Sequence, residues 1–388
     1  MKILQIVQKP QRRGAEVFAF QLNRELGRRG HEVSTIYLYA YHNAAPLPLH
    51  RQDHRFDGLE AHPAELLLGV QPKLLYRLQN VIETFKPDIV QVNGGRAVKY
   101  GAFSRYLGRN GTYGLIYRNI GDPKDWVHGW QRRLLYKKII MPQIDGVVGV
   151  SQVTLQRVQD YYGLSVPTMY IPNGIDTAAL CPATDRLALR RQLQTPADAP
   201  VLIFVGSLTK EKRPDRLLRV FQQVQAKISS ARLWIVGGGS LRSVLEQQAQ
   251  TMGLANVNFL GVQSEVASLL NAADLFVLTS DTEGIPAVVL EAGASGLPVV
   301  ATCVGGLAEC VTDGQTGYLL PPQDESGQVQ AILSLLQQPE QRRRMGQAAK
   351  QWVQTTFSIE HITQQYLNFY NRVLTCVQES KAQNLNPY

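Results

Sequence analysis

The chain has 388 residues, of which 44% are hydrophobic and 18% are charged, an ordinary composition for a globular protein with enough length for two full cores. No apolar run approaches the ~20 residues that a membrane-spanning helix needs. The net charge of +9 is uneven: residues 1–188 hold 24 Lys and Arg against 15 Asp and Glu, whereas residues 189–388 hold 16 of each. The basic first half predicts an anionic partner, such as a phospholipid surface, a lipid-phosphate acceptor or nucleic acid; solubility alone is the other explanation.

The cysteines and the first residues indicate a cellular compartment. Cys181, Cys303, Cys310 and Cys376 form no C-x-x-C pair, so we interpret them as reduced thiols in a cytoplasmic protein. The apolar start, residues 2–7, is too short for a signal peptide and is predicted as a strand. No His and Cys spacing typical of a metal site occurs, so we expect no metal.

The first half alternates short apolar strands with helices. Strand 2–7, helix 14–29 and strand 32–39 form the opening unit of a doubly wound sheet. Further strands are predicted at 88–92, 114–118, 146–150 and 169–172. Helices are predicted at 72–85, 96–108, 131–141 and 151–162, the last capped by Ser151. Residues 40–71 are predicted as a long loop or lid.

One of these helices contains a mixture of basic and apolar residues. The segment 131–141 reads Q-R-R-L-L-Y-K-K-I-I-M, which suggests a helix that lies on a membrane surface. On a helical wheel, however, its Arg and Lys are not cleanly segregated from its Leu and Ile. A membrane-surface helix and an ordinary helix both stay open.

The alternation restarts at Val201, after a polar linker and helix over 177–199. Strands are predicted at 201–206, 232–239 with its turn, 257–261, 272–280, 297–302 and 316–320. Helices are predicted to begin at Pro214, after Ser240 as a cap, and near 324, 341 and 358. The pattern predicts an α/β fold with two doubly wound Rossmann-like domains facing across a cleft, at 1–185 and 195–357.

The stretch 281–291, D-T-E-G-I-P-A-V-V-L-E, predicts a binding site. It places a glycine turn between a buried strand and a helix with Pro286 in its first turn, so free N–H groups and the positive helix end face a ligand. Glu283 lies on the turn and Glu291 lies roughly 7–8 Å along the helix from Pro286. This spacing suits a long ligand with sugar, diphosphate and ribose parts. The alternative is a cap residue and a solvated helix charge.

Lys210, Lys212 and Arg213 follow a strand and precede a helix, where a lysine can hold a diphosphate, although a solvated basic turn has the same pattern. The run 237–239 is predicted as a turn, because Arg242 stands where a dinucleotide loop needs glycine. The run 149–153 lacks the second glycine of a nucleophile elbow, and no second His follows His31 at zinc spacing, so hydrolase and metalloprotease classes lack support.

Over nearly its full length the chain resembles the retaining GT-B glycosyltransferases of family 4, also called glycosyl transferases group 1. The most specific match is E-G-I-P-A-V-V-L-E-A-G-A-S-G-L-P-V-V-A-T at 283–302. Further matches lie at 13–16, 28–33, 171–176, 206–215, 305–309 and 313–322. Such proteins transfer a sugar from a nucleotide diphosphate donor with retained configuration and usually without a metal. The resemblance therefore implies a nucleotide-sugar donor, a glycan or lipid-linked acceptor, no cofactor and no nucleic-acid partner.

The resemblance also implies residue roles. Glu291 matches the carboxylate that binds the ribose, Glu283 the one that binds the hexose, and Lys212 the diphosphate lysine. Gly14 matches a glycine whose backbone meets the donor across the cleft. The other implied donor contacts are Ser207, Arg213, Gly261, Val262, Gly284, Ile285, Pro286 and Ala287. The last helix, near 358–388, is expected to pack back onto the first domain.

Three departures from the family pattern affect these roles. Ser207 replaces a common Arg, so the diphosphate charge must come from Lys212, with Arg213 as a second source. Arg13 replaces the usual Gly before Gly14. Arg118-Asn119 stands where the family often has His at the end of the fourth strand, which makes Arg118 a candidate for a phosphate or acceptor contact and, with Glu283 and Lys212, a catalytic candidate.

Three functional classes follow. The first is a cytoplasmic sugar transferase that is peripheral on the inner face of a membrane. The second is a GT-B-like nucleotide-sugar epimerase, and the third is a non-catalytic nucleotide-sugar sensor. We favour the transferase, with the epimerase as its rival; the presence of Glu283, Glu291 and Lys212 counts against the sensor.

Overall fold

The structure is a computed structural model that describes residues 1–11, 14–41, 46–60, 62–108, 113–180 and 185–385. It divides into two compact units, Met1–Gly174 with Ile359–Tyr388 (unit 1) and Ile175–Ser358 (unit 2). Within the described ranges, no helix is both long enough and apolar enough to cross a bilayer.

Unit 1 is built on one parallel sheet. Its strands are β1 (Lys2–Val7), β2 (Glu32–Tyr39), β3 (His54–Gly58), β4 (Ile89–Asn93), β5 (Gly114–Asn119), β6 (Gly146–Gly149) and β7 (Thr168–Tyr170). They are ordered β3-β2-β1-β4-β5-β6-β7. The chain runs outward from β1 and then returns to β4 on the other side of β1, so the strand order reverses there. In such sheets ligands bind at the carboxyl ends of the strands beside this reversal.

Helices cover both faces of this sheet. They are α1 (Gly14–Arg28), α2 (Pro63–Leu68), α3 (Pro72–Phe85), α4 (Gly94–Leu107), α5 (Trp130–Leu135) and α6 (Gln152–Tyr162). A π-helical turn, Tyr136–Ile140, and a 3-10 turn, Met141–Gln143, continue α5. The predicted cap of α6 is confirmed, because Ser151 Oγ accepts from the Thr154 N–H at 3.1 Å.

The prediction of a long loop or lid over 40–71 is wrong for residues 54–58 and 63–68, while residues 42–45 and 61 lie outside the described ranges. The segment contains β3 and α2. β3 is an edge strand that pairs only with β2, and Phe56 is its one large buried side chain, so its sequence shows no apolar run. α2 has six residues, too few for a helical period to be visible. The extra strand makes β5, which carries Arg118, the fifth strand rather than the fourth.

Unit 2 is a second parallel doubly wound unit. Its strands are β8 (Val201–Val205), β9 (Arg232–Val236), β10 (Val257–Gly261), β11 (Leu275–Leu278), β12 (Val299–Thr302) and β13 (Gly317–Leu320). Their order is β10-β9-β8-β11-β12-β13. The strand order reverses between β8 and β11, whose carboxyl ends therefore flank the expected ligand position.

Unit 2 holds most of the later helices. They are α7 (Arg186–Gln192), α8 (Pro214–Lys227), α9 (Arg242–Thr251), α10 (Val266–Ala272), α11 (Ala287–Ala294), α12 (Leu307–Cys310), α13 (Glu325–Gln337) and α14 (Pro339–Thr356).

Two of these helices begin at other residues than predicted. Pro286 is the extended N-cap of α11, one residue before the first turn. Ser240 caps nothing, because α9 begins at Arg242, after Leu241 donates its N–H to the Leu208 carbonyl at 3.2 Å.

The last helix, α15 (Ile359–Leu385), belongs to unit 1. Its buried side joins a core cluster with Ile3, Ile89, Ile116 and Val148 from four strands of the unit 1 sheet. Gly146 lets it approach, since a Cβ there would lie 2.6 Å from Val373. The Tyr370 hydroxyl also donates to Gln91 Oε1 at 2.7 Å. α15 thus covers part of one face of the unit 1 sheet.

Candidate active site

The loops after β8 and β11 meet through an ion pair. Lys212 Nζ lies 2.6 Å from each carboxylate oxygen of Glu283. Ser280 Oγ donates to the same carboxylate at 2.5 Å. The Glu283 side chain is 5% exposed and that of Lys212 is 24% exposed, so the pair is mostly withdrawn from water. The structure joins the two residues that the resemblance assigned to sugar and diphosphate, and it adds Ser280, which sequence reasoning missed.

This pair lies at the reversal of the strand order. Leu275 and Phe276 of β11 are in register with Leu202 and Ile203 of β8, so the strand ends are neighbours, about 4.8 Å apart. α11 begins four residues after Glu283, and its N-cap residue, Pro286, makes no side-chain hydrogen bond to it. Its first N–H groups and the positive end of its dipole are therefore available to an anion beside Lys212.

Two glycines after β12 hold the backbone of the Glu283 loop. The Gly306 N–H donates to the Gly284 carbonyl at 3.1 Å. Gly305 has a φ of +56°, and a Cβ built on it would lie 1.7 Å from the Glu283 carbonyl oxygen. Only glycine permits this approach. The sequence indicated a turn here, but it gave no sign that the turn supports Glu283.

Glu291 lies further along α11 and is unlike Glu283. Its carboxylate has no hydrogen bond or ion pair with any residue that the structure describes. Burial alone raises its pKa to about 7. The residue is half-buried, and a carboxylate that is partly withdrawn from water without a donor is unfavourable. The role of Glu291 as a ribose contact stays a prediction.

The basic loop after β8 divides its charges unequally. Arg213 donates to Asp215 and Asp281, each at 3.0 Å, and these hydrogen bonds raise its pKa further above the usual range. Ser207 and Lys210 are exposed. Because Arg213 is held by two carboxylates, Lys212 is the better candidate for a cation that moves to a diphosphate. The role of Arg213 as a second source stays a prediction.

Two predicted donor contacts, Gly261 and Val262, lie at and just after the end of β10. The Gly261 carbonyl accepts from the Gly237 N–H at 2.8 Å, and Val262 is 82% exposed. β10 is two strands from β8, a lateral distance of about 10 Å. The run 237–239 is a turn, as predicted: a Cβ on Gly237 would lie 1.9 Å from the Gly206 carbonyl oxygen, so these glycines pack two loops together.

Arg118 lies inside unit 1. Its guanidinium donates to Asn173 Oδ1 and, at 3.5 Å, to Asn93 Oδ1, and it lies 4.4 Å from the centre of the Phe18 ring. In the described part of the chain no carboxylate lies within 4.0 Å of it, and its Nε has no partner. The side chain is fully buried. The predicted phosphate or acceptor contact stays a prediction.

The polar groups around Arg118 form a continuous buried network. Asn93 Nδ2 donates to Gln5 Oε1 at 3.0 Å, and Gln5 Nε2 donates to Asn23 Oδ1 at 2.7 Å. The network ends at Thr35, whose hydroxyl accepts from Asn23 at 2.7 Å. Gly14 starts α1 with open space where a Cβ would be. Arg13, the departure beside it, is outside the described residues.

Among the residues that are described, no group of three or more His, Cys, Asp and Glu side chains is arranged to hold a metal ion.

Comparison with known proteins decides the family. Residues 12–179 match the Glycosyltransferase Family 4 model, and residues 185–352 match Glycosyl transferases group 1. The chain is 30% identical over 301 residues to the GDP-mannose-dependent alpha-(1-6)-phosphatidylinositol monomannoside mannosyltransferase of Mycolicibacterium smegmatis, covering 75% of this chain and 78% of that one. This chain belongs to the group 1 glycosyltransferases. The family assignment made from its motifs is confirmed.

Other relatives of this group 1 glycosyltransferase match it over a shorter region. A D-inositol 3-phosphate glycosyltransferase of Corynebacterium aurimucosum is 34% identical over 214 residues, with 52% of this chain and 51% of that one covered. Among solved structures, HepE of Anabaena in complex with UDP and glucose has a TM-score of 0.79 at 21% identity, covering 96% of this chain and 100% of that one. Sucrose-phosphate synthase of Thermosynechococcus elongatus has 0.80 at 24%, covering 97% and 99%. These structures confirm the GT-B fold with its two Rossmann-like domains.

Proposed function

We propose that this glycosyltransferase moves a hexose-type sugar from a nucleoside diphosphate donor to a hydroxyl of a glycan or lipid-linked acceptor, retaining the anomeric configuration and without a metal. The contact between Lys212 and Glu283 carries the donor assignment. In a nucleotide sugar one oxygen joins the sugar to the diphosphate. The cation for one part and the carboxylate for the other must therefore be neighbours, as these two side chains are at 2.6 Å.

In this proposal the donor separates the ion pair. The diphosphate takes the ammonium of Lys212 together with the uncapped N–H groups of α11, where charge-assisted hydrogen bonds are strongest. Glu283 is then free to accept hydrogen bonds from sugar hydroxyls while Ser280 keeps its carboxylate oriented. Without donor, each charge is satisfied by the other, which explains why both can lie in a mostly buried place.

Glu291 completes the donor site on the nucleoside side. Its carboxylate has no described partner, and a ribose diol offers two hydroxyl donors. The lateral distance of about 10 Å from β8 to β10 leaves Gly261 and Val262 for the base. In this proposal the diphosphate binds beside Lys212 and the start of α11, the ribose at Glu291 and the base at the end of β10.

The reaction in this proposal needs no protein nucleophile. The bond between the anomeric carbon and the phosphate oxygen breaks, and its electron pair stays on the diphosphate. The acceptor oxygen bonds to the same face of the carbon, and its proton passes to the departing phosphate oxygen. Lys212 stabilises the charge that builds on that oxygen, which is electrostatic catalysis by a preorganised group.

The acceptor in this proposal is anionic and is met by unit 1. Unit 1 holds 25 Lys and Arg against 15 Asp and Glu, whereas unit 2 holds 15 against 16. The names of two relatives include phosphatidylinositol monomannoside and D-inositol 3-phosphate. A cytoplasmic location is part of the proposal and is supported by the free thiols of Cys303, Cys310 and Cys376.

An acceptor-dependent transfer assay tests the proposal. The chain is first screened by thermal shift against nucleoside diphosphates and their sugars, because a ligand that binds the folded state raises the melting temperature. The best donor is then incubated with glycan and lipid-phosphate acceptors, with Glu283→Gln as the inactive control. Nucleotide release that requires acceptor supports transfer. Release without any acceptor would indicate the epimerase, and binding without release the sensor.

A further inference from the structure

One exposed segment of unit 1 combines large apolar side chains with cations. We call residues 130–139, which comprise α5 and most of the π-helical turn, the basic-apolar segment. Trp130, Leu134 and Ile139 are 73%, 50% and 40% exposed. Arg132, Arg133, Lys137 and Lys138 are exposed as well, and the segment contains no Asp or Glu. Monomeric proteins rarely place large apolar groups together on their surface without a partner.

The segment is held firmly against unit 1, so its exposed face is part of the fold. Tyr136 and Ile140 are buried in the main core of the unit. The Tyr136 hydroxyl donates to the Gly95 carbonyl at 3.3 Å, which attaches the segment to α4. The Arg133 guanidinium lies 4.9 Å from the centre of the Tyr161 ring. The exposed face therefore cannot turn inward without breaking this packing.

The π-helical turn changes the register that a helical wheel assumes. Trp130 and Leu134 are four residues apart, one α-helical turn. Leu134 and Ile139 are five apart, which matches the i to i+5 spacing of the π-helical turn at Tyr136–Ile140. On a uniform α-helix, Ile139 would lie far from Leu134. The π-helical turn therefore explains part of the mixture of basic and apolar residues on the helical wheel.

The charges point to an anionic partner. Within the described ranges, none of the four cations lies within 4.0 Å of a carboxylate. Lys99 and Arg96 of α4 extend the positive charge beyond the segment. The pKa of Lys99 is lowered mainly by burial; Glu65 raises it, whereas the nearby charges of Arg96 and Arg132 lower it. Cations around an exposed Trp and Leu are the combination that binds the interface of an anionic bilayer, where the apolar groups enter and the cations contact headgroups.

We propose that the basic-apolar segment is the surface by which unit 1 binds an anionic phospholipid bilayer, with Trp130 and Leu134 entering the interface. This inference does not depend on the donor site in unit 2. A loss of lipid binding leaves nucleotide binding intact, and a failure of the donor assignment leaves lipid binding intact.

Co-sedimentation with vesicles of phosphatidylglycerol and phosphatidylcholine tests it. The chain binds these vesicles at low salt, binds pure phosphatidylcholine much less, and is released as salt rises. Trp130→Ser/Leu134→Ser lowers the partition coefficient by about tenfold. Arg132→Gln/Lys137→Gln/Lys138→Gln lowers it by about 100-fold, at about fivefold for each charge near the surface.

Two matched variants on α14 of unit 2 act as controls. Arg343→Gln/Arg344→Gln/Lys350→Gln removes the same net charge, and Trp352→Ser removes another partly exposed Trp. Both keep wild-type partitioning, and every variant keeps its circular dichroism and nucleotide affinity. Absent binding at low salt would overturn the proposal, as would equal losses in the α14 variants. So would unchanged partitioning in the Trp130 variant, because the contact would then be electrostatic only.

Discussion

Glu291→Gln is expected to make the ligand-free protein more stable while making it bind nucleotide less well. The Glu291 side chain is half-buried without a described donor, and desolvation raises its pKa to about 7. Gln has nearly the same shape and carries no charge. The substitution therefore removes an unfavourable charge from the folded state and removes the proposed acceptor for ribose hydroxyls.

The magnitude follows from proton linkage. The unfolded chain releases the Glu291 proton near pH 4.5, whereas the folded chain holds it to about pH 7. Between these values the folded state binds more protons, so the free energy of unfolding falls as pH rises. The full difference is about 3 kcal/mol, and access of water reduces it to about 1–3 kcal/mol. Glu291→Gln should gain that amount above pH 7 and nothing below about pH 4.5.

Thermal unfolding without ligand, from pH 4.5 to 8, measures this effect. For a unit of this size the expected gain at pH 8 is about 2–10 °C. Glu283→Gln is the matched control, because it breaks the ion pair with Lys212 and should leave stability unchanged or lower. A Glu291→Gln variant that is no more stable than wild type at pH 8 would refute this prediction. Equal losses of stability in Glu291→Gln and wild type as pH rises would refute it as well.

Two further substitutions test the rest of the donor site. Lys212→Ala should lower kcat by about 10²–10³-fold with a smaller change in donor affinity, since the lysine charge matters most as the diphosphate leaves. Lys210→Ala, at an exposed lysine of the same loop, is the control. An equal loss of kcat in the control would show that the loop acts only through its total charge. Gly305→Ala should lower kcat by about 10–100-fold, because a Cβ 1.7 Å from the Glu283 carbonyl oxygen must displace the Glu283 loop. Gly121→Ala is the control, because a Cβ at Gly121 would have no atom within 4 Å. Wild-type kinetics in both variants would show that the Glu283 loop tolerates displacement.

The sequence predicted most elements because parallel strands buried on both faces appear as short apolar runs. V-L-I-F-V at 201–205 and L-F-V-L at 275–278 are examples. β3 was missed because an edge strand buries few side chains. The helix start at Arg242 was misplaced because the competing contact with Leu208 lies 33 residues away in the chain.

The site was predicted as a set of residues but not as an arrangement. The resemblance assigned Glu283 and Lys212 to two parts of one ligand, yet they are 71 residues apart and nothing local indicated that they pair. Arg213 was expected as a second phosphate cation, but Asp281, 68 residues away, engages it. The packing of several elements buries Arg118 and leaves Glu291 without a described partner. A single sequence does not show that packing.

Titration calorimetry of Glu283→Ala and Glu291→Ala, each with the donor and with the free nucleoside diphosphate, tests the central claim most directly. Glu291→Ala should weaken both ligands by about 1–3 kcal/mol, the value of hydrogen bonds to a charged group. Glu283→Ala should weaken the donor or its turnover and leave the free nucleotide nearly unchanged, because that ligand has no sugar. An equal loss of free-nucleotide affinity in both variants would contradict the assignment of the sugar and ribose ends.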